Sequence, residues 1–526
     1  MSYLKFAYIL IVVALVFVYN LTPKKIKPLV LLAASFVFFA YISRELIVFL
    51  CLSILSVYIG GRVINRIDTK KEKLVQELKD KEEKKKIKNK YKRRKKLVLV
   101  LIILFNLSFL VYYKYLNFFG TNIDMLLSKF NLDIDFKVVK HIAPIGISYY
   151  TLQAIAYITD VYNEKIKADK NILRMALFMS FFPQIMEGPI ARYSDTTEDL
   201  YKREKVTKDN FSKGILRMLY GMFKKLIVAD RLNGIVKVVF SNHMMFGSFS
   251  TFISIAAYTV MLYMEFSGTM DVVVGTGEIF GVKIPENFRQ PFFSKNISEF
   301  WTRWHISLGT WFKDYIFYPV SLSKPMKKLT IKARKFLGNH FGPLISGAVA
   351  LFSVWFLNGL WHGAGYTYIF FGLYHFTMIL LGNIFTPTVI KICAKLHINR
   401  ANIFYRIFQS VKMTILIFFG ELFFRAPTME VGISMFKRIF SHIKTTSEQY
   451  ISFGLDYKDF IVLIIGIIVV FVISLLREKN VDIRAKFLEK KTFTRWAILI
   501  AVIVIIFIFG AYGKGYVPVD PIYADF

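Results

Sequence analysis

Two histidines are the residues of this chain best placed to do chemistry. His362 lies in Leu357-Asn-Gly-Leu-Trp-His-Gly-Ala-Gly365, an apolar stretch with Gly359, Gly363 and Gly365 around the imidazole. Glycines there permit a broken or closely approached backbone and leave space for a substrate. A buried imidazole is also the side chain best suited to take a proton near neutral pH. His305 lies in Asn296-Ile-Ser-Glu-Phe-Trp-Thr-Arg-Trp-His-Ile-Ser-Leu-Gly-Thr-Trp-Phe-Lys-Asp-Tyr315. It stands one helical turn before Gly309, where the small residue leaves room. The competing reading of each is a hydrogen-bonded packing histidine.

A helix must carry His305. Asn296 with Glu299 three positions later resembles an N-cap with its capping-box partner. A helix from there places Trp301, Trp304, Leu308, Trp311 and Tyr315 on one face. Three of the six tryptophans fall within eleven residues, a stripe that alone reads as packing or an interfacial belt.

Three other apolar segments hold polar groups. Ala143-Pro-Ile-Gly-Ile-Ser-Tyr-Tyr-Thr-Leu-Gln-Ala-Ile-Ala-Tyr157 carries a Ser/Tyr/Thr/Gln stripe. Phe181 to Tyr193 contains two prolines and a glycine that break a helix, so Glu187 is expected in an irregular, protein-enclosed segment. Glu265 and Asp271 stand six residues apart, about 120° around a helix. They read as structural hydrogen-bonding groups rather than an acid–base pair.

The chain has 526 residues, 55% hydrophobic and 17% aromatic, with 70 Lys+Arg against 36 Asp+Glu. Its apolar residues come in long blocks, which indicates a polytopic membrane protein rather than the soluble nucleic-acid binder that a net +34 suggests. Spans are expected to start near residues 6, 28, 46, 97, 143, 172, 214, 250, 343, 364, 405, 459 and 496. The first of them lacks a basic flank and a cleavage site and reads as a retained span, not a signal peptide.

Charge gives the orientation. Between Asn65 and Lys96 there are 16 basic and 6 acidic residues. Lys324 to Lys335 has six basic and no acidic residues, and Arg477 to Arg495 has seven against three. The positive-inside rule places all three in the cytoplasm. Three spans precede the first, so the N-terminus is expected outside. The 65–96 stretch also suits a charged helix along anionic lipid. It has no interleaved aromatics, and no nucleic-acid partner is expected.

Other chemistries fit poorly. Cys51 and Cys393 cannot form a disulfide framework and are expected as small packed hydrophobes. No cluster of ligands has zinc spacing, so no metal is expected. No nucleophile elbow or P-loop occurs.

Phe288 to Pro319 and Leu360 to Gly365 resemble the signatures of membrane-bound O-acyltransferases (MBOAT), in the bacterial branch that acetylates alginate and transfers D-alanine to teichoic acid. Pro144 to Gln153, Phe182-Pro-Gln, Gly188 to Tyr193 and Phe266-Ser-Gly268 with Asp271 support it, as does Ala511 to Tyr523. The family's usual Asp stands as Glu265 here.

The resemblance implies an all-α, ring-like fold of about twelve tilted spans, give or take two. Re-entrant and interfacial helices would complete it around a central funnel. N-terminal spans are expected over 1–64, a basic cytoplasmic loop over 65–96, the catalytic core over 97–425 and a C-terminal region with two further spans over 426–526.

It also implies that His362 is the general base and His305 the second histidine, which positions the thioester or stabilises developing charge. Asn296, Trp304, Asp314 and Asn358 are expected to line the substrate channel or support it, with Trp361, Asp271 and Gln153. The implied activity is O-acetylation of a cell-envelope polysaccharide from cytosolic acetyl-CoA, with no permanently bound cofactor. Besides membrane lipids, an extracytoplasmic esterase-like or acyl-accepting protein is the expected partner. The alternative is D-alanyl transfer from an acidic carrier protein's thioester to teichoic acid. A polysaccharide transporter is a distant third, since no internal repeat is present.

Overall fold

A computed structural model describes residues 3, 6–132, 136–139, 145–441, 455–512, 516 and 519. Every regular element among them is helical. In chain order the first helices are α1 (Phe6–Leu21), α2 (Lys27–Ile42), α3 (Ile47–Glu77), α4 (Lys81–Leu110), α5 (Leu116–Ser128), α6 (Ile147–Tyr162), α7 (Ile172–Ser180) and α8 (Tyr193–Leu200). Next come α9 (Lys208–Phe223), α10 (Asp230–Ser241), α11 (Ser248–Ile279), α12 (Ile297–Arg303), α13 (Ile306–Phe312), α14 (Tyr318–Ser321) and α15 (Lys324–His362). The last are α16 (Tyr366–Lys395), α17 (Ile403–Arg425), α18 (Met429–Ser441), α19 (Tyr457–Glu478), α20 (Ile483–Leu488) and α21 (Thr492–Phe509).

Among the described residues, eight helices are long and apolar enough to cross a membrane: α3, the run Lys81–Ser128, α11, α15, α16, α17, α19 and α21. The apolar helices α1 and α2 are 16 residues each. The spans expected near 143, 172 and 214 appear as α6, α7 and α9, of 16, 9 and 16 residues. These are shorter than the roughly 20 residues of a full crossing. The start expected at Ala143 and Pro144 lies outside the described residues.

The chain packs as two units, Met1–Phe211 with Thr276–Pro285, and Ser212–Gly275 with Glu286–Asp525. In the first, the basic stretch expected as a loop is helical except at Leu78–Asp80, because α3 and α4 run on past their apolar parts. Asp80 caps α4 by accepting from the amides of Glu82 and Glu83. Lys95 bridges Asp68 at 2.6 Å and Glu164 at 2.9 Å, while Lys71 meets the same two carboxylates at 2.7 and 3.2 Å. Cys51 is exposed on α3, against expectation; Cys393, in the second unit, is buried.

The irregular segment expected around Glu187 is present and buried throughout Phe181–Ala191. Freed backbone groups there find partners from distant parts of the chain. Tyr3 Oη donates to the Phe182 carbonyl and accepts from the Met186 amide, and Ser35 Oγ accepts from the Phe182 amide. Gly146 enters α6 at φ +78°, and a Cβ there would lie 1.9 Å from the Ile185 carbonyl oxygen. Only glycine fits that turn.

In the second unit, α9 and α11 cross closely: a Cβ on Gly221 would lie 2.3 Å from the Gly268 carbonyl oxygen. A π-helical turn over Lys224–Ala229 follows α9 and buries both of its lysines. Lys224 pairs with Asp271 at 2.6 Å; Lys225 pairs with Asp230 at 2.9 Å and Glu265 at 3.1 Å. The C-terminal stretch closes this network. Lys225 donates to the Val519 carbonyl, the Val519 amide donates to Asp230, and the Ala511 amide donates to the Leu226 carbonyl. The rest of the Ala511–Tyr523 motif lies outside the described residues, apart from Tyr512 and Tyr516.

Helix α15 breaks at Gly338, φ +73°, and its basic first part folds back on its apolar second part. Thr330 and Ser346 hydroxyls meet at 2.6 Å across the fold.

Candidate active site

His305 does not sit within a continuous helix. The helix expected from Asn296 to Tyr315 starts as foreseen, with Asn296 Oδ1 accepting from the Glu299 amide at 2.9 Å. It stops after Arg303. Trp304 is extended, His305 takes a left-handed conformation at φ +47°, and α13 begins at Ile306. Such a conformation costs a non-glycine residue about 1–3 kcal/mol, so its surroundings must hold it.

The preceding segment supplies that hold. Phe288 and Trp304 form an antiparallel bridge, and the Arg289 amide donates to the Arg303 carbonyl. The Ile306 amide donates to the Asn287 carbonyl, and the Ser307 amide to Asn287 Oδ1 at 2.9 Å. Amides freed by the break are thus satisfied from outside. Arg303 anchors the end of α12 to Glu299 at 2.7 Å and to Glu478 of α19 at 2.9 Å.

His362 is the last residue of α15 and is 6% exposed; His305 is 4% exposed. Their ring centroids are 6.4 Å apart. Trp361 packs against both, at 5.7 Å from His305 and 4.9 Å from His362. Phe266 lies 4.8 Å from His305, and Phe424 lies 5.1 Å from His362. Neither ring nitrogen of His305 is hydrogen-bonded to another described residue.

Both histidines line one cavity of about 340 Å³, together with Trp304, Gly309, Asn358 and Lys313. Asn358 Oδ1 is buried with no hydrogen-bond partner among the described residues. The structure therefore brings His305, His362, Trp304 and Asn358 to one space, with Trp361 packed behind.

The other expected positions fall elsewhere. Asn296 lines a neighbouring cavity of about 550 Å³ that shares Ser298 and Ile379 with the first. Asp314 is half-buried on a π-helical turn and is not among the residues lining the histidine cavity. Asp271 is held by Arg217 at 2.9 Å and Lys224 at 2.6 Å. Gln153 is buried on α6, in the first unit.

The glycines near His362 serve packing more than space. A Cβ on Gly359 would lie 2.4 Å from the Tyr368 carbonyl oxygen, and one on Gly363 would lie 2.2 Å from the Tyr368 ring. They let α16 approach α15. Gly309, by contrast, faces the cavity.

Three further residues belong to this site. Asn287 caps the break, His375 accepts from Trp301 Nε1 at 3.4 Å, and Glu421 is buried near His362. His375 and Glu421 carried a readable signal as ionisable residues inside apolar helices. Asn287 carried none, since its role depends on a segment twenty residues away.

The site thus lies within a polytopic helical membrane protein. Residues 99–424 match the model of the membrane-bound O-acyltransferase family, MBOAT. Over 425 residues the chain is 30% identical to a probable alginate O-acetylase of Azotobacter vinelandii, a match covering 80% of this chain and 74% of that protein. It is 30% identical over 299 residues to a peptidoglycan O-acetyltransferase of Helicobacter pylori, covering 52% and 53% of the two chains. It is 32% identical over 248 residues to a teichoic acid D-alanyltransferase of Bacillus subtilis, covering 46% and 59%. The matches thus span about half to three quarters of these relatives' lengths. The chain belongs to the MBOAT family, a family of multi-pass membrane O-acyltransferases.

Proposed function

We propose that the protein transfers acetyl from cytosolic acetyl-CoA to hydroxyls of an extracytoplasmic polysaccharide, directly or through a partner protein. The observation that carries this reading is the pairing of His305 and His362 at one cavity, 6.4 Å between ring centroids. Two imidazoles lining one space can hold an acceptor hydroxyl and a thioester together, which makes their reaction effectively unimolecular.

In this reaction His362 takes the proton of the acceptor hydroxyl while the oxygen attacks the thioester carbonyl. The carbon–sulfur bond breaks as the carbon–oxygen bond forms, and the proton passes from the imidazolium to the leaving thiolate. His305 positions the thioester or faces the charge developing on its oxygen. Asn358 presents an amide to the same space. A thioester is already activated, so alignment and one base supply much of the rate.

Similarity to the O-acetylase extends over 425 residues, against 248 for the D-alanyltransferase, and this favours acetyl as the group moved. We take 97–425 as the catalytic core between the N-terminal spans with their basic hairpin and the C-terminal region 426–526. The basic stretches at 65–96, 324–335 and 477–495 orient it with the N-terminus outside and the donor arriving from the cytoplasm. An esterase-like protein outside is the expected partner. The second reading, D-alanyl transfer from a carrier-protein thioester to teichoic acid, is favoured by the Bacillus subtilis relative.

Purified protein with labelled acetyl-CoA and polysaccharide separates the two. Acetyl transfer or thioester hydrolysis, lost in His362→Ala, supports the first reading. Transfer only from a D-alanyl carrier thioester sinks it, and undiminished turnover in His362→Ala sinks the assigned base.

A further inference from the structure

Glu421 is a carboxyl for which the reaction above has no use. It is the lone charged residue between Lys412 and Arg425 on α17. It is 1% exposed, and its Oε2 has no hydrogen-bond partner among the described residues. Nor does it form an ion pair there. Burying such a group in an apolar helix is costly and calls for a compensating contact.

The surroundings leave room for one. Glu421 borders a void of about 20 Å³ whose wall also includes His362, Trp304, Phe371 and Phe424. That volume suits one water molecule, which needs at least two polar partners. Glu421 and His362 are the two ionisable groups in the wall. The register of α17 is pinned at this point. Gly420 packs so closely on α16 that a Cβ would lie 2.5 Å from His375 Nε2, and Tyr374 Oη donates to the Leu416 carbonyl at 2.8 Å.

We propose that Glu421 is a positioning residue for His362, acting through one bridging water in this void. A ring N–H of His362 donates to the water, and the water donates to Glu421 Oε2. This fixes the tautomer, so the other ring nitrogen keeps its lone pair for the acceptor hydroxyl. When that nitrogen takes the proton, the water and the carboxyl oxygen behind it still hold the ring in place. The proton then leaves with the thiolate, and none remains on Glu421. The inference rests on His362 being the base.

The test uses full-length protein in detergent with Glu421→Leu and Glu421→Gln. Melting temperature, transfer kinetics and ¹⁵N ring shifts of His362, assigned with His362→Gln, are measured together. Glu421→Leu is expected to lower kcat about 100-fold with KM and melting temperature little changed, and to give mixed His362 tautomers. Glu421→Gln keeps an acceptor oxygen and stays within about fivefold of the parent, with one tautomer. A purely structural carboxyl predicts the reverse, because apolar replacement of an unpaired buried polar group is tolerated. Unchanged kcat in Glu421→Leu overturns the proposal. So does an unaltered His362 tautomer, whatever the activity of His362→Ala, so this inference and the base assignment fail separately.

Discussion

The side-chain oxygen of Asn287 accepts a hydrogen bond from the Ser307 amide at 2.9 Å, at the point where the chain turns His305 toward the cavity. The residue before α13, His305 itself, caps nothing with its side chain. The start of this candidate-site helix is therefore completed by a residue twenty positions earlier. Removal of a cap costs about 1 kcal/mol, yet the same bond sets a strained backbone. Asn287→Ala is expected to reduce acyl transfer by about tenfold or more, because it misplaces His305, with only a small fall in melting temperature. Asn287→Asp keeps the acceptor and most of the activity. Rates and melting curves on the same samples check both.

Asp271 lies between two buried cations, Lys224 and Arg217. Asp271→Ala strips the buried Lys224 of this carboxylate and leaves Arg217 with Glu286, a loss of about 3–5 kcal/mol. Glu286 binds the same Arg217 but is 53% exposed, so Glu286→Gln should cost less than about 1 kcal/mol. Thermal unfolding of the two variants reads the contrast, and equal losses would contradict it.

The α3–α4 hairpin should be acid-sensitive. Hydrogen bonds from Lys95 and Lys71 hold the Glu164 carboxyl below its ordinary value of 4.5. A carboxyl lowered in the folded state stabilises the fold above its unfolded value and loses that effect as pH falls through the folded one. Amide protection near Lys71 and Lys95 is thus expected to hold at neutral pH and to weaken below about pH 4. Hydrogen exchange, corrected for intrinsic rates, measures it; full protection at pH 3 would count against the linkage.

Helix α16 offers a paired glycine test. A Cβ on Gly372 would lie 2.2 Å from the Trp355 carbonyl oxygen, whereas Gly382 has nothing within 4 Å. Gly372→Ala forces α15 and α16 apart at the aromatic cluster of Trp301, Trp355 and His375 and should cost about 1–3 kcal/mol. Gly382→Ala gains helix propensity and should be neutral or stabilising by up to about 1 kcal/mol. Melting temperatures decide between them.

Features written locally in the chain were legible. Apolar blocks mark the long helices, Asn296 caps α12, and the prolines around Glu187 break the helix where expected. His305 and His362 were visible because imidazoles are rare in apolar, glycine-rich stretches. The break at His305 was not legible, since the tryptophan stripe satisfies helical periodicity across it and the cause lies in Asn287. Periodicity likewise hid the fold at Gly338 and the helical course of 65–96, where charge reads as loop. Glu421 has no partner within its own helix, and its neighbour His362 is 59 positions away.

The C-terminal stretch has a consequence for the order of assembly. Lys225 is complete only when the Val519 carbonyl reaches it, across 294 positions of chain. A ribosome inserting this protein makes that lysine long before its last partner exists. Until then Lys225 has Asp230 and Glu265 but not the Val519 carbonyl, so the second unit cannot reach its final form before residue 519 is released.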